Sequence, residues 1–381
     1  MELDFDAEQE ALRDSVRAFL AAECPIASVR TIVETRIAGG SVQPTALHEQ
    51  AVALGWPALT VPEGAGGLGL GTIELALVAE EFGRALMPGP LFATLTQFVP
   101  MITELGSSEQ IHAILGPIAD GRAPGTLAVA EATGTTDPAA TTTIATPTGD
   151  RFVLRGTKTM VFEPTPGGSI VVIARTPGTT GDDGVGAFVV PVDATGMDPV
   201  DAVDPSRRLA AITFDDVAVN AAAVLGTPGP PTATAIRRAL QTATLGLALD
   251  AVGAAQQLFD ISLEYAKQRE QFGVPIGSFQ AIKHKFADML ILLERARALG
   301  YFAALTIAED DDRRSLATAM AKAAAGDAVA RIAKEAIQVH GGIGYTWEAD
   351  VHLYVRRLES DAVLFGNADL HRQTVADLIG V

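Results

Sequence analysis

From Phe5 to about Leu115 the apolar residues return every three or four positions, as in Leu12, Val16, Phe19 and Leu20. That spacing lines one face of an α-helix. The pattern breaks at the glycine-rich VPEGAGGLGLGT of residues 61–72, which predicts a conspicuous loop inside a helical region. Between about residues 125 and 225 the period changes. TLAVAEA, TTIATPTGDRFVLRGTKTMV, SIVVIART, GAFVVPV and LAAITFDDVAV are Thr, Val and Ile runs bounded by Gly, Pro and Asp, and they predict a small antiparallel β domain. From about residue 232 alanine-rich helical patterns return. Over 314–340, Leu316, Met320 and Ala324 fall four apart with Lys322, Asp327, Arg331 and Lys334 interleaved, the mark of an amphipathic helix.

The expected organisation is an N-terminal helical domain over residues 1–122, a middle β domain over 123–225 and a C-terminal helical bundle over 226–381. GTPGPP at 226–231 has the composition of a linker, and no internal repeat emerges. At 381 residues with 48% apolar content, the chain exceeds what one hydrophobic core organises and is too apolar to be disordered. A single cysteine, Cys24, makes no internal disulfide, and the six histidines include no HxH or HExxH pair, so neither a disulfide scaffold nor a metal site is expected. No run reaches the roughly 18 apolar residues of a membrane span, and Met1 leads into acidic ELDFDAEQE rather than a basic and then apolar leader. A cytoplasmic protein without membrane insertion is the expectation. The formal net charge of −18 repels a phosphate backbone, so nucleic acid is not an expected partner. An anionic ligand would have to meet locally placed arginines or backbone N–H groups.

Four segments carry a resemblance: VPEGAGGLGLG with LVAEEFGRAL, then DPSRRLAAITFDDVAV, then YAKQREQFGVPIGSFQAIKHKFADM, then AIQVHGGIGYTWEADVHLYVRR. In this order, on a helix, strand, helix layout, the chain resembles the acyl-CoA dehydrogenases along essentially its whole length. The resemblance implies a mainly α fold with a middle β domain and a C-terminal four-helix bundle, FAD as cofactor and an acyl-CoA as substrate. In that family the QREQFG…FQ type of segment closes over the pyrophosphate and adenosine of FAD belonging to the neighbouring subunit. The implied cofactor contacts are Arg269, which can place a bidentate charge on phosphate, Phe272 for the adenosine half, and the Gln280 amide. Gln338, Gly341 and Gly342 join them from QVHGGIG. Gly273 and Pro275 are expected to stop the preceding helix.

The family's catalytic base is a glutamate, and here the sequence departs from the pattern. Counted without gaps from Gly341 and Gly342, its usual position falls on Phe365 before Gly366. The alternative position, on the first bundle helix, falls on Ala243, with Thr244 in place of an arginine. Neither residue accepts a proton, and the catalytic residue is left unknown. The flavin-ring loop of TEPGAGSD type is AEATGTTD at 130–137, and the strand usually close to KMWIT is Lys158 to Phe162 with Met160 and Phe162 at the ring positions.

The half of the cofactor site given to a neighbour is kept, while the half for this chain's own flavin is eroded. That division resembles the non-catalytic subunit of heterotetrameric, α2β2 acyl-CoA dehydrogenases of actinobacteria, with a paralogous chain as partner and sterol-derived CoA thioesters as substrates by analogy. The second reading is a self-sufficient homotetramer with an unrecognised base. Asp361 and Asp369 flank Phe365 and are candidates to reach a substrate. Glu131 reads as a structural acceptor, GAGGLGLG as a packed turn, and His340 as a satisfied structural histidine.

Overall fold

The computed structural model describes residues 5–381; the acidic opening through Asp4 lies outside the described residues. Helix α1 (Ala7–Glu23) begins where Asp6 accepts the Glu8 and Gln9 N–H groups and Gln9 reaches back to the Asp6 N–H, a capping box. Then come α2 (Ile26–Ile37), α3 (Thr45–Ala53) and α4 (Thr72–Arg84). The glycine-rich loop between α3 and α4 is a packed turn: a Cβ on Gly67 would lie 1.9 Å from the Val61 carbonyl oxygen. A broken helix follows, with α5 (Leu91–Ala93), a π-turn at Thr94–Phe98 and α6 (Val99–Leu105), and then α7 (Ser108–Ala119) capped by Ser107.

The middle segment is one sheet of β1 (Gly125–Ala128), β2 (Ile144–Thr148), β3 (Arg151–Phe162), β4 (Ser169–Arg175), β5 (Val185–Pro191), β6 (Gly196–Val200), β7 (Leu209–Asn220) and β8 (Val224–Leu225). Its order is β6-β7-β3-β2-β4-β5-β8 with β1 beside β4. The pairing is not wholly antiparallel as expected, because β1 and the end of β2 run parallel to β4. Alternation along β4 sorts its two faces. Val171 and Ile173 join the core shared with α6, α7 and the following helix, whereas Ile170, Val172 and Ala174 join a core internal to the sheet.

The linker ends at Pro230, the first residue of α8 (Pro230–Gln268), 39 residues long and thus roughly 58 Å from end to end at 1.5 Å per residue. Helix α8 crosses α4 at glycines. A Cβ on Gly83 would lie 1.9 Å from the Asp250 carbonyl oxygen, and one on Gly253 would lie 1.8 Å from that of Glu80. After α8 come a two-residue hairpin of β9 (Glu270–Gln271) and β10 (Val274–Pro275), then α9 (Gln280–Ala308), α10 (Arg314–His340), α11 (Val351–Val363) and α12 (Ala368–Ile379). Helix α10 is the central helix, not an amphipathic surface one. Leu316 and Met320 are only half-buried, while Ala317, Ala321, Ala325 and Lys322 lie inside. Among the described residues no helix is long and apolar enough to cross a membrane.

Candidate functional site

The expected cofactor contacts gather at one end of the helical bundle. Helix α8 stops at Gln268, not at Gly273 and Pro275 as the sequence suggested, and Arg269 is its extended C-cap. Gly273 and Pro275 instead belong to the hairpin. Its two-residue turn holds Phe272 at φ 56° and Gly273 at φ 80°, the type I′ geometry that suits a tight hairpin and that glycine accepts far more readily than phenylalanine. Phe272 projects from this turn 93% exposed, its ring edge-on to Phe279 at 6.2 Å. Gln280 opens α9, whose first turn has no side-chain cap. The ends of α8 and α10 meet where Tyr265 stacks on His340 at 4.4 Å, which brings Gly341 and Gly342 to the same end. Gln338, one turn earlier on α10, is exposed, as are Arg269, Gln280, Gly341 and Gly342.

Chemically this end suits an anion flanked by an apolar ring. The Arg269 guanidinium makes no hydrogen bond or ion pair among the described residues, and the uncapped start of α9 presents free N–H groups and the positive end of its dipole. Lys267 and Lys283 line one depression between α8 and α9, a cationic spot on a chain of net charge −18. A Cβ on Gly341, at φ 63°, or on Gly342 would meet nothing within 4 Å, so both backbones face open space that a ligand can approach closely. Among the described residues nothing covers this end. Phe272, Val274, Phe279, Tyr345 and Trp347 are all exposed around it.

The ring side, at the meeting of β3, α11 and the broken helix, is closed instead. Phe162 is 1% exposed. It packs against Phe92 at 6.2 Å and Phe365 at 6.1 Å, and the Arg207 guanidinium lies over Phe92 and Phe162 at 4.4 and 5.2 Å. Phe365, at φ 56°, turns the corner after α11 with Gly366 at φ 95°, and its carbonyl accepts from His371 Nε2 at 2.9 Å. Beside it remains an apolar cavity of about 210 Å³ between Val129, Met160 and Leu364. That is less than the roughly 300 Å³ at which small-molecule pockets begin. Ala243 is buried, and Thr244 donates to the Leu240 carbonyl within α8. Neither candidate base position holds a proton acceptor.

Asp361 was a candidate to reach a substrate, and the structure withdraws it. Its carboxylate lies in an internal cluster with Asp204, Asp250, Arg207, Arg357 and Lys322, all buried. Arg207 pairs with Asp361 at 2.6 Å and Asp250 at 3.1 Å, and Arg357 pairs with Asp204 at 2.6 Å and Asp250 at 3.2 Å. Lys322 donates to the Asp361 carbonyl at 2.5 Å. Burial and the neighbouring Asp250 push Asp361 well above the ordinary carboxyl range. Burial opposes ionisation of Asp250 too, but Arg207 and Arg357 prevail and hold it down. Burial lowers Lys322 to about 8. Asp369 is exposed and pairs with Arg372 at 2.7 Å.

Two further expectations concern single residues. Glu131 accepts from Thr141, Thr143 and Lys158 at 2.7–2.9 Å, and also from Thr142, and so binds the eroded loop to β3. Burial alone would raise its pKa, but the Lys158 charge and these donors hold it well below the carboxylate range. It is a structural acceptor. His340 is bonded through Nδ1 to the Ala336 carbonyl at 2.8 Å. The charged cluster escaped the sequence reading, although its signal was present: Asp250 is the single charge in the apolar run ATLGLALDAVGAA, and a lone charge there implies a buried counter-charge.

Comparison with known proteins places this geometry in a wider setting. Residues 6–122 match the acyl-CoA dehydrogenase N-terminal domain family and residues 233–380 the acyl-CoA dehydrogenase C-terminal domain family. The human mitochondrial short-chain specific acyl-CoA dehydrogenase is 31% identical over 340 residues, covering 87% of this chain and 82% of that protein. The butyryl-CoA dehydrogenase of Megasphaera elsdenii superposes with a TM-score of 0.90 at 26% identity, over 100% of both chains. A variant of the Tcur3481-Tcur3483 steroid ACAD superposes with a TM-score of 0.85 at 30% identity, over 98% of this chain and 97% of that one.

Proposed function

Because the chain belongs to the acyl-CoA dehydrogenase family of FAD-dependent oxidoreductases, we propose that it is the subunit that completes the FAD site of a paralogous partner in an α2β2 assembly. In such an assembly the substrate would be an acyl-CoA, a sterol-derived thioester by analogy with the steroid ACAD of double name. When bound, FAD supplies the hydride acceptor for α,β-desaturation of the thioester.

The two halves of a FAD site fit this chain differently. The adenosine and pyrophosphate half suits the open end of the bundle. Arg269 would set a charged fork on a phosphate, Phe272 would cover an apolar face, and the Gly341–Gly342 backbone would approach the anion with Gln280 and Gln338 at its sides. The ring half fits poorly: Phe162, at one ring position, is buried against Phe92, Phe365 and Arg207, and beside Met160, at the other, only about 210 Å³ remains. The observation that carries the reading is this opposition between a sealed ring side and an uncovered, cationic adenosine side within one chain. A two-fold interface between paralogues has two such clefts, and each takes its ring contacts from one chain and its adenosine contacts from the other. Only the cleft that uses the partner's ring contacts would hold flavin.

The test is co-expression with a paralogue that retains the glutamate and a TEPGAGSD-type loop. The sized complex should show one flavin per heterodimer by absorbance against protein mass, and this chain alone should show negligible dye-linked turnover. A ratio near one flavin per subunit would show that this chain's ring side works and would overturn the reading.

A further inference from the structure

We propose that the groove between the α1–α2 corner and the ends of α8, α10 and α11 binds a small, uncharged, mostly apolar molecule carrying a hydrogen-bond donor. The groove is separate from the sealed ring side and adjoins the open end at the Tyr265–His340 stack, and this inference does not rest on the subunit role argued above. Its volume is about 640 Å³, inside the range of roughly 300–1,000 Å³ that small-molecule pockets occupy. Leu20, Ile26, Ile261, Val351 and Tyr354 supply its apolar wall.

The charges in and beside that wall are matched within the protein. Arg17 pairs with Glu81 at 2.6 Å, Arg84 with Asp260 at 2.8 Å, Asp350 with Arg30 at 2.6 Å, and Glu264 with Lys267 at 3.7 Å. An ionic ligand would lose its hydration there without finding a free counter-charge. Three polar groups in the lining are unmatched. The Gln257 amide, the Tyr265 hydroxyl and the His340 Nε2 make no hydrogen bond among the described residues. Because Nδ1 of His340 is tied to the Ala336 carbonyl at 2.8 Å, Nδ1 carries the proton and Nε2 offers a lone pair. Burial lowers the pKa of His340 and keeps the ring neutral. Nε2 is thus a fixed acceptor, held in place by the Tyr265 stack, and it calls for an O–H or N–H on the ligand. Tyr265 and Gln257 can answer an acceptor on the same molecule.

The probe is 2-naphthol, a fused-ring alcohol that is uncharged at neutral pH, titrated by ligand-observed NMR into the full chain and into the co-purified complex. Saturable one-to-one binding is expected in both, with Kd on the order of 0.1–1 mM for a fragment of this size. 2-Naphthoate and 2-naphthylmethylammonium, its charged analogues, should bind at least about tenfold more weakly. His340→Phe, which keeps a stacking ring and removes the acceptor, should weaken 2-naphthol about tenfold, and Ile261→Trp should abolish binding by filling the groove. If Ile261→Trp lowers the melting temperature, Ala349→Phe replaces it as the occluding variant. Equal binding of all three probes, or binding that survives occlusion, would overturn the proposal. So would binding that disappears on assembly with the partner, since the groove would then be a subunit contact.

Discussion

Replacing Arg357 by methionine tests whether the buried charge cluster holds the sheet to the bundle. Arg357 is 0% exposed. Its Nε meets Asp204 at 2.6 Å, its Nη1 meets Asp250 at 3.2 Å, and its Nη2 donates to Ser206 Oγ at 2.7 Å. Asp204 and Ser206 belong to the loop before β7, so one guanidinium on α11 joins that loop to α8. Methionine fills most of the volume and removes the charge. Asp204 keeps the Ser206 N–H at 2.9 Å and hydroxyl at 2.6 Å, but Asp250 keeps only Arg207. Breaking a buried pair by removing one partner costs about 3–5 kcal/mol. The lower end applies here, because Asp361 already leans toward its protonated form and relieves part of the excess negative charge. With an unfolding entropy of about 2.1 cal/mol/K per residue over 381 residues, or roughly 0.8 kcal/mol/K, the melting temperature should fall by about 4 °C. Calorimetry at pH 7 reads it, with Arg356→Met as control, since Arg356 reaches the Val203 carbonyl and the half-exposed Trp347 ring near the surface and should shift by about 1 °C or less. Adding Asp204→Asn to Arg357→Met should cost less than the sum of the two single changes, because it removes a charge left unpaired. A melting temperature for Arg357→Met within 1 °C of wild type would refute the reasoning.

Arg269→Ala should weaken FAD retention by the co-expressed assembly by about 1.5–3 kcal/mol, roughly 10- to 150-fold in Kd, the worth of a charge-assisted bond to phosphate; unchanged flavin content after dilution would exclude the phosphate role. Phe272→Gly relieves an aromatic residue held at φ 56°, so the isolated chain should be as stable as wild type or about 1 kcal/mol more stable, while size-exclusion titration should show weaker association with the partner. Glu131→Gln tests the acid side. Its folded pKa lies below the ordinary 4.5, so the carboxylate's contribution is full above that value and is lost as pH falls toward the folded one. Denaturant midpoints of wild type and variant should therefore differ most near neutral pH and converge in acid, and a constant gap down to pH 2 would count against the Lys158–Glu131 pairing.

What the sequence made legible was what repeats or departs from a spacing rule. Period 3.6 and period 2 marked the helical and sheet segments, and Phe365 before Gly366 stood out where the family resemblance implies a glutamate. What it missed depended on chain segments far apart. Lys322 reads as one cation among several on α10, yet it is 1% exposed and spends its proton donors on the end of α11. Asp361 sits one turn before Phe365 and invites a functional reading, but its partners come from the loop before β7, from α8 and from α10, at separations no local pattern reports. Helix α8 also stops earlier than glycine and proline punctuation suggested. A two-residue hairpin needs two positive φ values, here at Phe272 and Gly273, and an extended strand before them, so the helix has to end at Gln268 with Arg269 already extended.

The filled ring side bears on why such a chain can exist at all. A family fold that lost its flavin-ring contacts by truncation to small residues would leave a void, and emptying a large aromatic position costs about 3–5 kcal/mol. Here the ring positions carry side chains that pack. Phe162 contributes a fully buried ring to a cluster with Phe92 and Phe365, and Arg207 lies across two of those rings while the Asp250 carboxylate balances its charge from behind and Asp361 accepts its Nη1 hydrogen bond. On the subunit reading proposed above, the same side chains that occupy the ring positions would let the chain close its interior without a flavin of its own. The opposite end shows no such compensation: Phe272 is 93% exposed, with exposed Phe279 against its ring and exposed Val274 two residues on. One end of the molecule is finished by its own side chains and the other is not, and that asymmetry is the physical basis for expecting a second chain to complete it.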